Sequence, residues 1–301
     1  MRHIFMTLLL TWSGYAYTCD TCGGGSANFF LGDAAVSNDN FIGVRQQHLR
    51  FSTLHYNLVR DRIEKATSVE VALHSELLAN IKIHDKWSII TLVPYNSFRQ
   101  EKAETNNFHG LGDVVTIVNY RLFDFAPEES LIAHRLIVGA GVKWATGSYL
   151  IEENQLFLNP NFQLGTGSTD ALMNLRYRFT NNNFGLVSEM NYRYTTANSE
   201  AYRFGNRFLG AVHGFYRFMT GINHVMTPKL GMFYQYAARD FDDNRPVFLS
   251  QGYFVHASLG LQFTYRNLIL GVNWQEPVLQ DFASRQIRSE RNLIFNLFYT
   301  F

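Results

Sequence analysis

The sequence repeats one pattern, in which apolar and polar side chains alternate over about ten residues at a time. Leu136, Val138 and Trp144 share one face of such a stretch, whereas Arg135 and Lys143 fall on the other. Because a strand directs successive side chains to opposite faces, this period of two predicts β-strands that are apolar on one side. Helical spacing fits these segments less well.

The alternating segments are long, and their number is even. Strands of ~10 residues or more, even in number, are typical of outer-membrane barrels, whereas the strands of a soluble sandwich usually have ~5–6 residues. About twelve segments follow the pattern, near 41–56, 67–82, 86–97, 112–123, 131–145, 169–180, 183–195, 203–219, 227–239, 253–265, 267–276 and 290–301.

Short and long connections alternate between these segments, as turns and loops do on the two sides of an outer-membrane barrel. The short ones lie near 84–86, 125–129, 180–183, 221–223 and 266–267, and the long polar ones at 99–110, 146–168, 195–203, 239–251 and 276–289. We therefore predict an all-β fold over residues 41–301. It is an antiparallel up-and-down transmembrane β-barrel of about 12 strands, with the long loops facing outside the cell.

The last segment has one wholly apolar face, which ends in Tyr299 and Phe301. We expect this strand to pair with the first one, so that no strand edge is left unpaired in lipid. A terminal aromatic residue also resembles the signal that barrel-assembly machinery reads. Tyr299 and Phe301 are therefore the predicted assembly signal.

The amino-terminal residues 1–16 read as a secretory signal peptide, with a basic start, a short apolar run and a small-residue cleavage pattern. Export and the barrel pattern together predict the outer membrane of a Gram-negative bacterium. A net charge of +1 gives no indication of nucleic-acid binding, and a mean hydropathy of -0.12 is compatible with a barrel. The Gly-rich segment 17–40 would precede the barrel and could fold into the bore as a plug.

The two cysteines, Cys19 and Cys22, lie in that Gly-rich segment. An oxidising periplasm favours a local disulfide between them. Their spacing also suits a soft metal such as zinc or copper(I), although a structural zinc site needs four ligands. Lipidation of Cys19 is a third interpretation. No other cofactor is expected.

The lumen face is predicted to carry more bases than acids. Barrel interiors are polar by default, so these charges could form a salt-bridge network that fills a narrow bore. Alternatively, they line a pore whose positive charge favours anionic solutes. The bases assigned to this face include Arg121, Arg135, Lys143, Arg176, Arg178, Arg193, Arg207 and Arg217, and the acids are Glu70, Glu76, Asp113, Asp170, Glu189 and Glu276.

Two glycine motifs lie where the chain returns from a long loop into a strand. Glycine permits tight backbone approach and positive φ at a turn, and the aspartate that follows can accept hydrogen bonds from turn amides or pair with an inward base. We interpret the motifs as rim turns, with a solute or cation site at the aspartates as the alternative. The first motif contains Gly110, Gly112 and Asp113, and the second contains Gly165, Gly167 and Asp170.

These motifs, with the stretch 139–147 between them, resemble a broad family of outer-membrane transporters often labelled with phenol meta-pathway degradation. The amino-terminal Cys19-Asp20-Thr21-Cys22-Gly23 is similar to a branch common in Bacteroidota. The resemblance implies an outer-membrane barrel and passage of a small solute. No residue of this chain supports the phenol label itself.

The sequence therefore predicts a monomeric barrel that passes or binds a small solute by passive diffusion, with an anion as the solute that a basic lumen would favour. One alternative is a non-conducting barrel that serves as a structural partner in an outer-membrane complex. Another is a metal-binding barrel that uses the two cysteines. No nucleophile, base and orienting group can be identified together, so we do not expect an enzyme.

Overall fold

The alternating segments form twelve antiparallel strands that close into a barrel. The computed structural model describes residues 40–59, 62–101, 105–127, 131–149, 152–153, 156–157 and 163–301. The barrel strands are β1 (Phe41–Val59), β2 (Arg62–His84), β3 (Trp87–Glu101), β4 (Val115–Phe125), β5 (Ile132–Lys143), β6 (Asp170–Asn181), β7 (Phe184–Tyr194), β8 (Arg207–Tyr216), β9 (His224–Ala237), β10 (Gly252–Tyr265), β11 (Leu268–Phe282) and β12 (Asn292–Thr300).

Each strand pairs with the next, and β12 pairs with β1, so the sheet has no free edge along the barrel wall. The seam places Ile42 opposite Tyr299, and the amide of Phe301 donates to the carbonyl oxygen of Asn40 at 3.0 Å. Closure satisfies the backbone groups that lipid could not hydrogen-bond. The predicted closed antiparallel barrel is confirmed.

The outward face is apolar around the barrel. Met173 and Leu259 are each 64% exposed between buried neighbours, and Leu230 is 69% exposed between half-buried ones. A soluble protein does not leave such residues in water over a whole surface. The alternation therefore places a continuous apolar band where hydrocarbon would surround the barrel.

The two ends of the barrel differ as the sequence predicts. At the short-turn end, the chain reverses in tight turns, and Asn182 and Arg266 adopt positive φ values of 52° and 50°. At the opposite end, which we call the outer end, the connections are longer. No helix in the described part of the chain is long and apolar enough to cross a membrane.

Several stretches predicted as outer loops are strands instead. The segment Thr105–Leu111 pairs with the end of β3, and Ile287–Ser289 pairs with β1 after a short 3-10 turn, Ala283–Arg285. The backbone ladder continues past the point where apolar alternation stops. This is because hydrogen bonding between strands does not require a lipid-facing side.

Two outer loops pack on each other over the barrel mouth. A three-stranded sheet joins Tyr202–Arg203, Phe241–Asp242 and Arg245–Pro246. The hydroxyl of Tyr202 donates to Asp240 at 2.8 Å. The long polar connections 195–203 and 239–251 are thus ordered into a cap.

Residues 1–39 lie outside the described residues. They hold the predicted signal peptide 1–16, nearly all of the predicted plug segment 17–40, and both Cys19 and Cys22. The interpretations of these residues stay predictions.

Candidate functional site

The two glycine motifs meet at Lys143, the last residue of β5. Its ammonium group is fully buried, donates to Asp113 Oδ2 at 2.8 Å and to the carbonyl oxygen of Ser168 at 2.7 Å, and lies 3.1 Å from Asp170 Oδ2. It also donates to the hydroxyl of Thr166. We call Asp113, Lys143, Thr166, Ser168 and Asp170 the rim cluster.

Loop amides complete the rim cluster. Asp113 accepts hydrogen bonds from the amides of Gly147 at 2.9 Å and Thr166 at 2.8 Å. Asp170 Oδ1 accepts from the Ser168 hydroxyl at 2.9 Å and from the amide of Thr196 at 3.1 Å. Each carboxylate thus holds outer-loop backbone against the barrel rim. The sequence analysis placed the two aspartates at rim turns but did not connect them through Lys143, Thr166 and Ser168.

Close backbone contact explains the glycines of these motifs. A Cβ atom added to Gly147 would lie 2.7 Å from the carbonyl carbon of Gly112 and 2.8 Å from Gly165 Cα, too near for any side chain. Gly167 adopts a φ of +67°, which L-residues rarely adopt. A Cβ on Gly110 would lie 2.7 Å from Leu164 Cδ1. The glycines therefore let three loop segments meet at one point of the rim.

The segment 163–168 turns into the lumen just before β6. The side-chain amide of Asn96 on β3 donates to the carbonyl oxygen of Leu164 at 2.9 Å, and Asn198 donates to the carbonyl oxygen of Thr166 at 3.2 Å. With the rim cluster, these bonds hold Leu164 inside the barrel, where it is only 4% exposed.

Leu164 completes an apolar cluster near the outer end of the lumen, which we call the outer apolar layer. The other members come from β1, β2, β3, β9, β10 and β11 and from the residues after β11. The rings of two of them stack with their centroids 5.0 Å apart. The layer lies beneath the outer loops and fills part of the lumen there. Its members besides Leu164 are Leu49, Phe51, Ala72, Phe98, Ala237, Phe254, Phe282, Ala283 and Ile287.

The sequence analysis missed this layer because it treated the inward face as polar. The available signal was the strand register: Phe51 and Phe98 occupy the same alternate positions as the polar residues of their strands. Leu164 carried no comparable signal, since it lies in a loop whose path into the barrel depends on contacts distant in sequence.

Charged residues are concentrated on the inner faces of β5 to β8, and we call this surface the charged wall. Arg176 and Glu189 lie opposite each other in register and are 1% and 0% exposed. Arg193 and Arg207 are also opposite each other, and Arg193 Nε lies 3.9 Å from Asp170 Oδ2. The charged wall consists of Lys143, Asp170, Arg176, Glu189, Arg193 and Arg207.

Four of the predicted lumen bases lie toward the short-turn end. Arg121 and Arg135 both pair with Asp124, each at 2.8 Å. Arg217 donates to a turn carbonyl oxygen at 2.8 Å, and the guanidinium of Arg178 lies 5.4 Å from the centroid of a phenylalanine ring. They are therefore not part of the buried charged wall.

The acids assigned to the lumen are also divided. Glu70 accepts hydrogen bonds from two neighbouring hydroxyl groups at 2.6 Å, and Glu76 forms a buried ion pair with Arg45. Glu276 is exposed on the outward face, where the indole of Trp274 donates to it at 3.0 Å. Its assignment to the lumen was wrong, because Gln275 is the inward residue at this point of β11.

A cavity lies on the opposite side of the lumen, between β8 and β12 and against β1. Its polar lining consists mainly of carboxamides, and we call this surface the amide wall. Phe233, Phe298 and Ile294 provide apolar surface in the same cavity. The carboxamides are Gln47, Gln235, Gln262, Asn273, Gln275, Asn292 and Asn296.

The closed barrel and its apolar outward band define a transmembrane β-barrel. Its fold is similar to that of an outer membrane channel from Pseudomonas putida F1, with a TM-score of 0.61, 11% identity and coverage of 87% of this chain and 96% of that chain. It is also similar to the beta domain of the Bordetella autotransporter Brka, with a TM-score of 0.51, 10% identity and coverage of 87% and 100%. At these identities the likeness concerns the fold. No protein-family model and no curated protein sequence matches the chain.

Proposed function

We propose that this protein is an outer-membrane barrel through which a small solute passes passively. The observation that carries the proposal is a cavity inside a closed barrel, beneath an apolar layer that includes one loop residue, Leu164. A barrel with only a structural role would not need an internal cavity lined by polar side chains.

Residues 163–165 serve as the gate in this proposal, while Thr166 and Ser168 stay bonded to the rim cluster. Moving Leu164 out of the outer apolar layer would connect the cavity with the outer end, whereas the barrel strands need not move. Moving residues 163–165 breaks few bonds, because Asn96 holds the carbonyl oxygen of Leu164 and Ser148 holds the amide of Gly165 through single neutral hydrogen bonds, each contributing about 1 kcal/mol. Lys143 would remain as the hinge anchor. The predicted plug segment 17–40 would restrict the other end.

The remaining assignments belong to the same proposal. The chain is exported by a cleaved signal peptide, residues 1–16, and resides in the outer membrane of a Gram-negative bacterium. Lipid and the barrel-assembly machinery are its partners, with Tyr299 and Phe301 as the assembly signal, and no nucleic acid or catalysis is involved. The resemblance of the glycine motifs to a transporter family, and of the CxxCG stretch to its Bacteroidota branch, supports this assignment.

A non-conducting structural barrel is the second candidate. The observation that favours it is the outer apolar layer, which fills part of the lumen in this conformation. The two candidates differ in whether the layer opens.

Single-channel conductance of the mature protein in planar bilayers tests the choice. Wild-type protein should give steps that are rare, and Leu164→Ala should raise the open fraction several-fold because the loop residue loses most of its apolar contact. Leu92→Ala is the matched control, since Leu92 is fully buried in a different lumen cluster. Single-channel currents recorded under ion gradients show whether the charged wall gives the anion preference that the sequence predicts. A folded barrel that stays silent with Leu164→Ala would support the structural alternative.

A further inference from the structure

We propose that the cavity on the amide wall binds a neutral, hydroxyl-rich solute of monosaccharide size. The inference rests on the proposed function only in that the solute must reach the lumen. It names a class of solute different from the anions that the excess of inward bases suggests.

The chemistry of the lining carries the proposal. Seven carboxamides face one cavity, and each carboxamide offers both donors and an acceptor without a formal charge. Vicinal hydroxyl groups have the same double character, so a sugar can exchange donors and acceptors with such a wall in several orientations. An anion offers acceptors only, and would meet the carbonyl oxygens of the same groups.

Two acceptors in the cavity have no partner. Gln47 and Asn292 are 2% and 3% exposed, and neither Gln47 Oε1 nor Asn292 Oδ1 has a hydrogen-bond partner among the residues that the structure describes. They lie close together, because Gln47 pairs with Ile294, two residues from Asn292. A buried acceptor without a donor is costly, and two neighbouring hydroxyl groups of one solute, each donating its proton to one of these oxygens, would satisfy both.

The two cations that line the cavity, Arg45 and Lys229, are already engaged. Arg45 is ion-paired with Glu76, and Lys229 Nζ donates to Gln262 Oε1 at 2.7 Å. The amide of Gln47 also donates to Glu76 at 3.0 Å. An anion would have to compete with these contacts for the positive charge, whereas a neutral solute leaves them intact.

Apolar side chains supply the complementary surface. Phe233 and Phe298 are buried in the same cavity, and the ring of Phe233 is fixed edge-on to His213 with centroids 4.8 Å apart. Aromatic rings present a flat surface against which the C–H face of a sugar ring can pack. The cavity therefore combines rigid apolar surfaces with uncharged polar groups, as the binding of a pyranose requires.

The experiment is equilibrium dialysis of the full-length protein, folded in detergent, against radiolabelled D-glucose, D-glucuronate and benzyl alcohol. Glucose should bind saturably, and about tenfold more tightly than glucuronate, which has the same ring and one charge. Gln47→Leu and Asn292→Leu should each weaken glucose binding about tenfold, since each removes one hydrogen-bonding group. Asn174→Leu is the control, because Asn174 is a buried lumen amide that bonds Asn119 at 3.3 Å outside the cavity.

Each outcome decides the inference. Equal or tighter binding of glucuronate or benzyl alcohol would overturn it, as would glucose binding that Gln47→Leu and Asn292→Leu leave unchanged. If a variant does not fold, the comparison of the three probes on the wild-type protein still decides. Glucose binding together with silent bilayers would support the cavity while contradicting passage, and conductance without glucose binding would overturn the cavity and leave passage standing.

Discussion

The charged wall and the amide wall are inner faces of one barrel, yet the amide wall lines a larger cavity, whereas Arg193 and Arg207 of the charged wall line only part of a smaller one. On the charged wall, Arg176 faces Glu189, and Lys143 lies between two aspartates. A buried charge is tolerated only with a partner close by, so each charge brings a second side chain into the lumen. Carboxamides do not need a charged partner side chain, and the lumen beside the amide wall keeps a cavity. The difference shows that paired lumen charges fill more of the volume in this barrel, while neutral polar side chains leave more of it open.

The largest expected effect comes from removing the ammonium group of the rim cluster. Lys143→Met leaves Asp113 and Asp170 buried without their cation, and should destabilise the folded barrel by about 3–5 kcal/mol. Urea unfolding of the protein in lipid vesicles measures the loss.

Asn292→Leu on the amide wall is the matched control. Its carbonyl oxygen has no partner among the described residues, so the substitution should cost less than about 1 kcal/mol. Equal losses for the two variants would show that the two walls do not differ in the way proposed.

The second-largest loss of stability is expected on the outward faces of the strands behind the two walls. Val138→Arg lies behind the charged wall on β5 and Leu259→Arg behind the amide wall on β10, and each places a charge on the apolar outward face. Both should cost about 2–4 kcal/mol, because lipid surrounds both walls equally. Vesicle unfolding measures the two variants side by side.

Gln235→Arg provides the lumen reference for these variants. Gln235 lines the cavity, where a guanidinium group can remain hydrated. If Val138→Arg or Leu259→Arg were tolerated as well as Gln235→Arg, the outward assignment of that strand would be wrong.

The smallest effect on the folded state is expected at the carboxyl terminus. Phe301 is 60% exposed, and its amide makes one hydrogen bond with Asn40. Its deletion should change unfolding by about 1 kcal/mol or less, but should slow assembly and lower the yield in the outer membrane. Pulse-chase labelling of cells compares the assembly rates of the wild-type protein and the deletion variant. Phe248→Ala is the control, since Phe248 is an even more exposed aromatic residue, at 72%, in an outer loop. Normal assembly after the deletion would remove the assembly-signal proposal.

Much of the fold could be read from the chain. Alternation in each segment gave the strands and their outward faces, since the period of two is a local property of the backbone. The outer loops were harder to predict, because Thr105–Leu111 and Ile287–Ser289 form ladders without apolar alternation. Glu276 was misplaced by one position, and one position reverses the face of a strand residue.

The candidate site could be read only in part. The rim aspartates were identified from the glycine motifs, and the bases from their inward register. Their division into a charged wall and a short-turn group depends on where each strand meets its neighbours. The outer apolar layer needs Leu164, which is more than 60 residues from Phe98 and comes near it only in the closed barrel.

The sequence by itself determined the architecture of this protein: twelve strands, the alternation of short and long connections, and an apolar outward face. These follow from local patterning, which acts through strand geometry and solvent. Only the tertiary structure decided what the lumen contains, because strand register sets which inward side chains face each other. That register joined Asp113, Lys143 and Asp170 into one cluster. It also left the carboxamides of β9 to β12 and β1 around an open cavity.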